Sequence, residues 1–432
     1  MERHRLRLPF AVVTTVVAAV AATVALRPRT GLIEPAAVEP KAYFSPSQIE
    51  RAEDFRGPQR ALGVAGLAVS GGVLAVIALR PPRAVRRALA RAEARPLAGG
   101  AAVGAGLSLG LVLVTLPIDA VAHARAVDVD LSTQSFGPWL VDVGKSAAVG
   151  AVLAGGGAAI ALLVVRRFPR RPWLPGTAAV IALSAAFVFL SPLVLEPIFN
   201  RFTPLPRGQL RAEVLELAER AGVEVGEVFR VDASRRTTGA NAYVGGLGHT
   251  KRVVLYDTLL DRFQSEQVRS VVAHELAHVR YRDVVHGLLW LAVVAPAALF
   301  LVQVLAERIA RAAGGADRGA ERSGRREAAG VGRSPLGTPA ALPALALAVA
   351  LVSFGAGLAS NPLSRLVEAR ADAFALRLTG EPAAFIELER ELAVSNVSEP
   401  APPLVWHALL GTHPTAVERI GFGLAYARAI GR

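Results

Sequence analysis

The 432-residue chain is 53% hydrophobic with a mean hydropathy of +0.42, and its apolar residues gather in long blocks rather than at globular periodicity, the profile of a membrane protein. A net charge of +13 would suit nucleic acid, but the basic residues sit in loops between those blocks and form no patch on one folded unit, which excludes a nucleic-acid partner. The lack of cysteine excludes disulfides and thiolate metal ligands, so any metal must be held by nitrogen and oxygen.

Seven blocks are long enough to cross a bilayer as helices: Pro9 to Leu26, Ala61 to Leu79, Leu97 to Ile118, Ala147 to Val165, Trp173 to Leu195, Val284 to Leu305 and Thr338 to Ala359. Glycine and alanine in the second to fourth suit closely approaching membrane helices. The first follows Arg3, Arg5 and Arg7. It reads as a retained anchor rather than a signal peptide cut among Ala21 to Ala25, because its apolar run is longer than the usual h-region. Arginines also follow span two (Arg80, Arg83, Arg86, Arg87, Arg91, Arg95), span four (Arg166, Arg167, Arg170, Arg171) and span six, and the positive-inside rule puts these loops in the cytoplasm. That leaves Glu196 to Asp283 and Ser360 to Arg432 outside, on a multi-pass protein of the cell membrane. Arg311 to Leu336, rich in Gly, Ala, Arg and Glu, reads as a disordered connection between spans six and seven.

Two polar segments are large enough to fold. In the first, Gln209 to Ala221 has helical spacing, Val228 to Val231 reads as a short strand, and Asn241 to Gly246 with Arg252 to Leu255 reads as a hairpin turning near Gly248. Next comes Val271-Val272-Ala273-His274-Glu275-Leu276-Ala277-His278, an H-E-x-x-H signature on a helix with Ser265 as its expected N-cap, running directly towards span six. Histidines four apart stack on one helix face and reach one tetrahedral ion, while Glu275 between them can poise a water on it, which is zinc-hydrolase chemistry. A catalytic zinc needs one further protein ligand. His286 would lie about 12 Å from His278 along the helix axis, so a carboxylate is the better donor. In the second polar segment the Asn361-Pro362 pair is expected to stop span seven, with helices over Ser364 to Leu378, Pro382 to Val394 and Thr415 to Ile430. Glu368 and Asp372 then share a face, the first placed to coordinate and the second to orient a ligating imidazole. The rival arrangement is a solvated ion-pair ladder with Arg365.

Five stretches, in one order, resemble the membrane-embedded CAAX prenyl endopeptidases, a seven-span gluzincin family of zinc metalloproteases. They are Glu196 to Leu205; Asn241 to Gly246 through Arg252 to Leu260; His274 to His278; Asn361 to Ala375; and Thr412-His413-Pro414 with Glu418-Arg419. The resemblance implies one zinc ion (Zn2+) held by His274, His278 and Glu368, with Glu275 as general base and then proton donor, and Asp372 accepting a hydrogen bond from a zinc histidine. It also puts Asn241 and His413 where the family holds the peptide or stabilises the oxyanion. The hairpin beginning at Asn241 offers an edge for an extended substrate, with Tyr243 on that strand and Gly245 and Gly246 permitting close backbone approach.

The expected fold class is mainly α, a seven-span helical membrane protein with a small α/β zinc-metalloprotease head formed by the segments after spans five and seven. Its parts are residues 1–195 (five spans and their loops), 196–283 (head, with the H-E-x-x-H helix), 284–359 (spans six and seven) and 360–432 (head, with the third ligand). The expected activity is hydrolysis of peptide bonds in a peptide or protein, lipidated or membrane-inserted, at the lipid bilayer. One alternative is a quality-control zinc protease for damaged membrane proteins. The other is a non-enzymatic membrane protein with a closed structural zinc, against which Glu275 argues, since a structural site needs no base. The resemblance implies a head facing the cytoplasm, whereas the arginine distribution puts it outside.

Overall fold

The structure is a computed structural model and describes residues 2–246, 251–320 and 335–431. The apolar stretches expected to span are helices, most of them outrunning their apolar blocks: α1 (Glu2–Leu26), α2 (Pro46–Leu79), then after the short basic α3 (Arg83–Ala92), α4 (Pro96–Asp128), α5 (Phe136–Arg167) and α6 (Trp173–Val194). A Ser45/Gln48 capping box with Pro46 in the first turn starts α2 well ahead of its apolar block. α4 and α5 pack backbone to backbone. A Cβ built on Gly104 would sit 2.5 Å from the Ala154 carbonyl oxygen, and one on Gly100 2.2 Å from Leu162 Cδ1, the close approach that small residues allow.

The first half of the head follows as α7 (Glu196–Phe199), β1 (Phe202–Pro204), α8 (Gln209–Arg220), β2 (Glu227–Val231), β3 (Ala242–Gly245), β4 (Arg252–Tyr256), α9 (Asp257–Arg262) and α10 (Ser265–Arg280). Among the described residues the strands form one sheet in the order β1-β2-β4-β3, with β2 and β4 parallel and the other pairs antiparallel. β1 has three residues, one a proline, and too little periodicity to read. The expected hairpin is β3 with β4; its turn, with Gly248 and His249, lies outside the described residues. α10 begins one residue earlier than expected: Gln264 is the N-cap, in a capping box with Gln267, while Ser265 Oγ donates to Glu213 instead (2.9 Å). Val214, Leu217, Val253, Leu255, Val272 and Leu276 put α8, α10 and the sheet on one core.

The last part is α11 (Asp283–Ala320), α12 (Leu342–Thr379), α13 (Pro382–Ser395), α14 (Leu404–Leu410) and α15 (Ala416–Ala429). Phe385, Leu388 and Phe422 join the core of α8 and α10, so both polar segments close over one interior. Three expectations are corrected here. α10 does not run into span six, because the chain turns at Tyr281 and Arg282, the latter left-handed at φ 56°, and α11 starts afresh at Asp283. Asn361-Pro362 does not stop span seven. α12 passes straight through Pro362, since one lost backbone hydrogen bond is tolerated in a membrane helix packed on its neighbours. Finally, residues 311–320 are helical and extend α11, because alanine and arginine propagate a helix already nucleated by the span; residues 321–334 lie outside the described residues.

Seven helices are thus long and apolar enough to cross a membrane. α1 packs on α11 and α12, where Thr23 Oγ1 accepts from Trp290 Nε1 (3.0 Å) and donates to the Ala359 carbonyl (3.3 Å). The arginine-flanked ends meet at one end of the bundle, with Arg166 donating to the Gly337 carbonyl (3.3 Å) and Arg7 3.6 Å from Glu307. The head sits at the other.

Candidate metal centre

α10 packs against α8, α12, α13 and β3, and the apolar side chains that seat it, Val268, Val272, Ala273, Leu276 and Ala277, fix its rotation. One helical turn then aims His274 and His278 the same way. Their Nε2 atoms are 3.2 Å apart. Glu368, on the continuous α12, reaches the same point, with Oε2 3.2 Å from His274 Nε2 and Oε1 3.8 Å from His278 Nε2. Donors at about 2.0–2.1 Å from a tetrahedral ion stand roughly 3.3 Å from one another, close to the spacing of the two nitrogens and of each nitrogen from its nearer Glu368 oxygen. The donor set, two imidazoles and a carboxylate, fits a divalent cation with an open corner.

Glu275 is close as well. Its carboxylate and both imidazoles lie within 4.8 Å of one another, and it lines, with Asn241, His274, His278, Glu368 and His413, a cavity of about 350 Å³. Burial pushes the Glu275 carboxyl above its ordinary pKa, with the two histidines opposing. Burial alone would lower that of His274. The hydrogen bond and charge of Asp372, followed by Glu368, outweigh it and raise the imidazole to about 10. The point between these groups therefore attracts positive charge.

Asp372, fully buried, holds His274 Nδ1 at 2.8 Å. Behind it stands Arg419, whose Nε donates to Asp372 Oδ2 (2.9 Å) and whose Nη1 is 2.7 Å from Glu389 Oε2. Asp372 and Glu389 keep this buried guanidinium charged, its pKa raised against the effect of burial. The ion-pair ladder is absent, since Arg365 donates to the carbonyls of His407 (3.2 Å) and Gly411 (2.6 Å). His278 Nδ1 has a partner that the sequence did not suggest, Asp283 Oδ2 at 3.0 Å. Asp283 in turn accepts from Arg370. Five residues beyond His278 on a continuous helix, Asp283 would have faced away, so no spacing rule could find it. Arg419 lay in a quoted stretch, but nothing in that stretch showed its partner.

The His413 side chain is largely exposed, with Nε2 3.6 Å from Glu368 Oε2; partial loss of water around the ring at the cavity mouth lowers its pKa, Glu368 opposing. Asn241 lies at the start of β3, its Oδ1 accepting from Ala242 N (2.9 Å). Tyr243 is not brought to the cavity. Its hydroxyl donates to Glu196 (2.6 Å), and burial, then that bond, raises its pKa. Gly245 has only ordinary contacts around a built Cβ, and Gly246 has φ 97°, a backbone that favours glycine. His286 is on α11, facing the Arg282 carbonyl (3.2 Å).

A helix-borne pair of imidazoles meeting carboxylates at the end of a membrane bundle is the layout of a membrane metallopeptidase. The chain belongs to peptidase family M48, whose model matches residues 204–422, about half of it. It is similar to the uncharacterized metalloprotease YhfN of Bacillus subtilis, 27% identical over 383 residues that cover 88% of this chain and 87% of that one. It is also similar to CAAX prenyl protease 1 of Saccharomyces cerevisiae, 30% identical over 149 residues, 34% of this chain and a third (33%) of the relative. The crystal structure of S. mikatae Ste24p superposes with a TM-score of 0.74 at 19% identity, covering 97% of this chain and 98% of that one, which shows the same fold. The protein is a multi-pass membrane metalloendopeptidase acting on peptides or proteins, as the resemblance implied.

Proposed function

We propose that the metal is a single zinc ion held by His274, His278 and Glu368, and that the enzyme is an endopeptidase of the CAAX prenyl protease kind. The convergence of two imidazole nitrogens, 3.2 Å apart, with a carboxylate from a second helix whose oxygens lie 3.2 Å from one and 3.8 Å from the other, carries this reading. Glu368 rather than Glu275 is assigned as the ligand because its two oxygens face both Nε2 atoms, leaving Glu275 free for protons. Bound there, zinc would supply a water of lowered pKa and polarise the scissile carbonyl. Glu275, its own pKa raised by burial, is placed to take up a proton from the attacking water and give it to the leaving amine. His413, largely neutral, donates towards the oxygen on which charge develops. Asp372 keeps the His274 proton on Nδ1.

The substrate lies extended along β3. Tyr256 N donates to the Asn241 carbonyl, so residues 241, 243 and 245 face β4, and residues 242 and 244 turn their main-chain groups to the open edge. Ala242 and Val244 would then bond the peptide, while Tyr243 and Gly245, whose main-chain groups are taken by β4, would serve it by holding that edge strand in place, with Gly246 leaving room for close approach. A neighbouring cavity of about 600 Å³, sharing Asn241, Glu389, His413 and Arg419 with the metal cavity, continues the path. Relatives named as prenyl proteases support a lipidated or membrane-held peptide, and the arginine-rich ends, opposite the head, favour a head outside the cytoplasm.

The test is Glu275→Gln with metal content measured. Zinc stays at one ion per chain and hydrolysis falls by roughly 10²- to 10⁴-fold; undiminished proteolysis in the zinc-loaded variant would eliminate Glu275 as the base.

A further inference from the structure

We propose that Asp283 is a positioning residue of the metal centre, holding His278 through Nδ1 as Asp372 holds His274, with Arg370 fixing it in place. This rests on the zinc reading above. Both imidazoles face the common point through Nε2 and a carboxylate through Nδ1, at 2.8 Å for His274 and 3.0 Å for His278. An ionised carboxylate only accepts hydrogen bonds, so it keeps the proton on Nδ1 and leaves the Nε2 lone pair for a cation.

The backbone is built for this contact. Residues five apart on a continuous helix point about 140° away from each other, but the left-handed Arg282 (φ 56°) folds the start of α11 back, so that Asp283 lies beside His278. The Asp283 side chain is only 11% exposed. Its other oxygen accepts from Arg370, whose guanidinium lies 4.1 Å over the Tyr281 ring, a residue of the same turn. Arg370 stands on α12 between Glu368 and Asp372. One membrane helix thus provides the third donor, the carboxylate behind one imidazole and the clamp on the carboxylate behind the other.

The experiment uses the full-length protein in lipid nanodiscs as parent, His278→Ala, Asp283→Asn and Arg370→Gln. Zinc affinity is measured by chelator competition, the site geometry by the visible spectrum of the cobalt-loaded protein, and folding by the thermal midpoint without metal. Asp283→Asn should weaken zinc binding by about 10- to 100-fold and alter the cobalt spectrum, and Arg370→Gln should do both to a smaller extent. Unchanged affinity and spectrum in Asp283→Asn, or a lowered midpoint with unchanged affinity, overturns the proposal. If Asp283→Asn does not fold, Arg370→Gln decides in its place, because its route to the metal runs through Asp283: weakened zinc binding supports the proposal and unaltered binding overturns it. A parent that binds no zinc, or a His278→Ala that binds it as tightly, overturns the zinc reading itself.

Discussion

Glu389 is a carboxylate that folding burdens. It is 3% exposed, Oε2 is paired with Arg419, and Oε1 has no hydrogen-bond partner among the described residues. Burial pushes its pKa up to about 7, Arg419 opposing and Asp372 adding to the rise. An unfolded glutamate gives up its proton near 4.5, so between that pH and about 7 the folded chain binds the extra proton. The protonated group therefore favours the fold in acid, and that contribution is lost as pH rises through about 7. Glu389→Gln removes the dependence. Its thermal midpoint relative to the parent should climb from about pH 5 to about pH 8; a difference that stays flat would show that Glu389 is ionised throughout. This residue was not legible in the sequence, since its charge state is set by burial and then by Arg419 and Asp372, all of which only the fold supplies. His274, His278 and Glu275 were legible because helical spacing alone makes them neighbours. Glu368 and Asp372 could be read only in combination with that motif.

Among the elements, the pair of α4 and α5 shows most directly how small residues set a distance. Gly104 leaves no room for a side chain against the Ala154 backbone, and Gly155 sits tightly against the Ala101 carbonyl oxygen (3.0 Å). Gly104→Leu should force the two helices apart and destabilise the protein by about 1–3 kcal/mol, read as a lower thermal midpoint in detergent, while zinc content per folded chain stays unchanged. An unaltered midpoint would mean that this contact does not set the distance between the two helices. Helix and strand positions were readable wherever an apolar block or an alternation ran long enough. The misreadings share one cause. A proline reads as a stop and a run of arginine, alanine and glycine as a loop, yet a helix already packed over several turns carries through both. The turn at Arg282 has the converse origin, a single left-handed residue that leaves no mark in hydrophobic spacing.

For the whole molecule, the arginine-rich ends of the spans lie at one end and the catalytic head at the other. A reporter enzyme active only outside the cytoplasm, fused after Arg432, should be active; a silent fusion with a functioning cytoplasmic counterpart would invert the orientation. α12 unites both ends in one rod of 38 residues, about 57 Å long. Its apolar part is long enough to cross a membrane, and its last turns present Glu368 and Asp372 to His274. Membranes of different thickness are matched by leaning such rods, and leaning this one strains the contacts between its carboxylates and that imidazole. Peptide cleavage in nanodiscs of graded acyl-chain length should peak at one thickness and fall on either side; a flat profile would show that the lean of α12 does not reach the site.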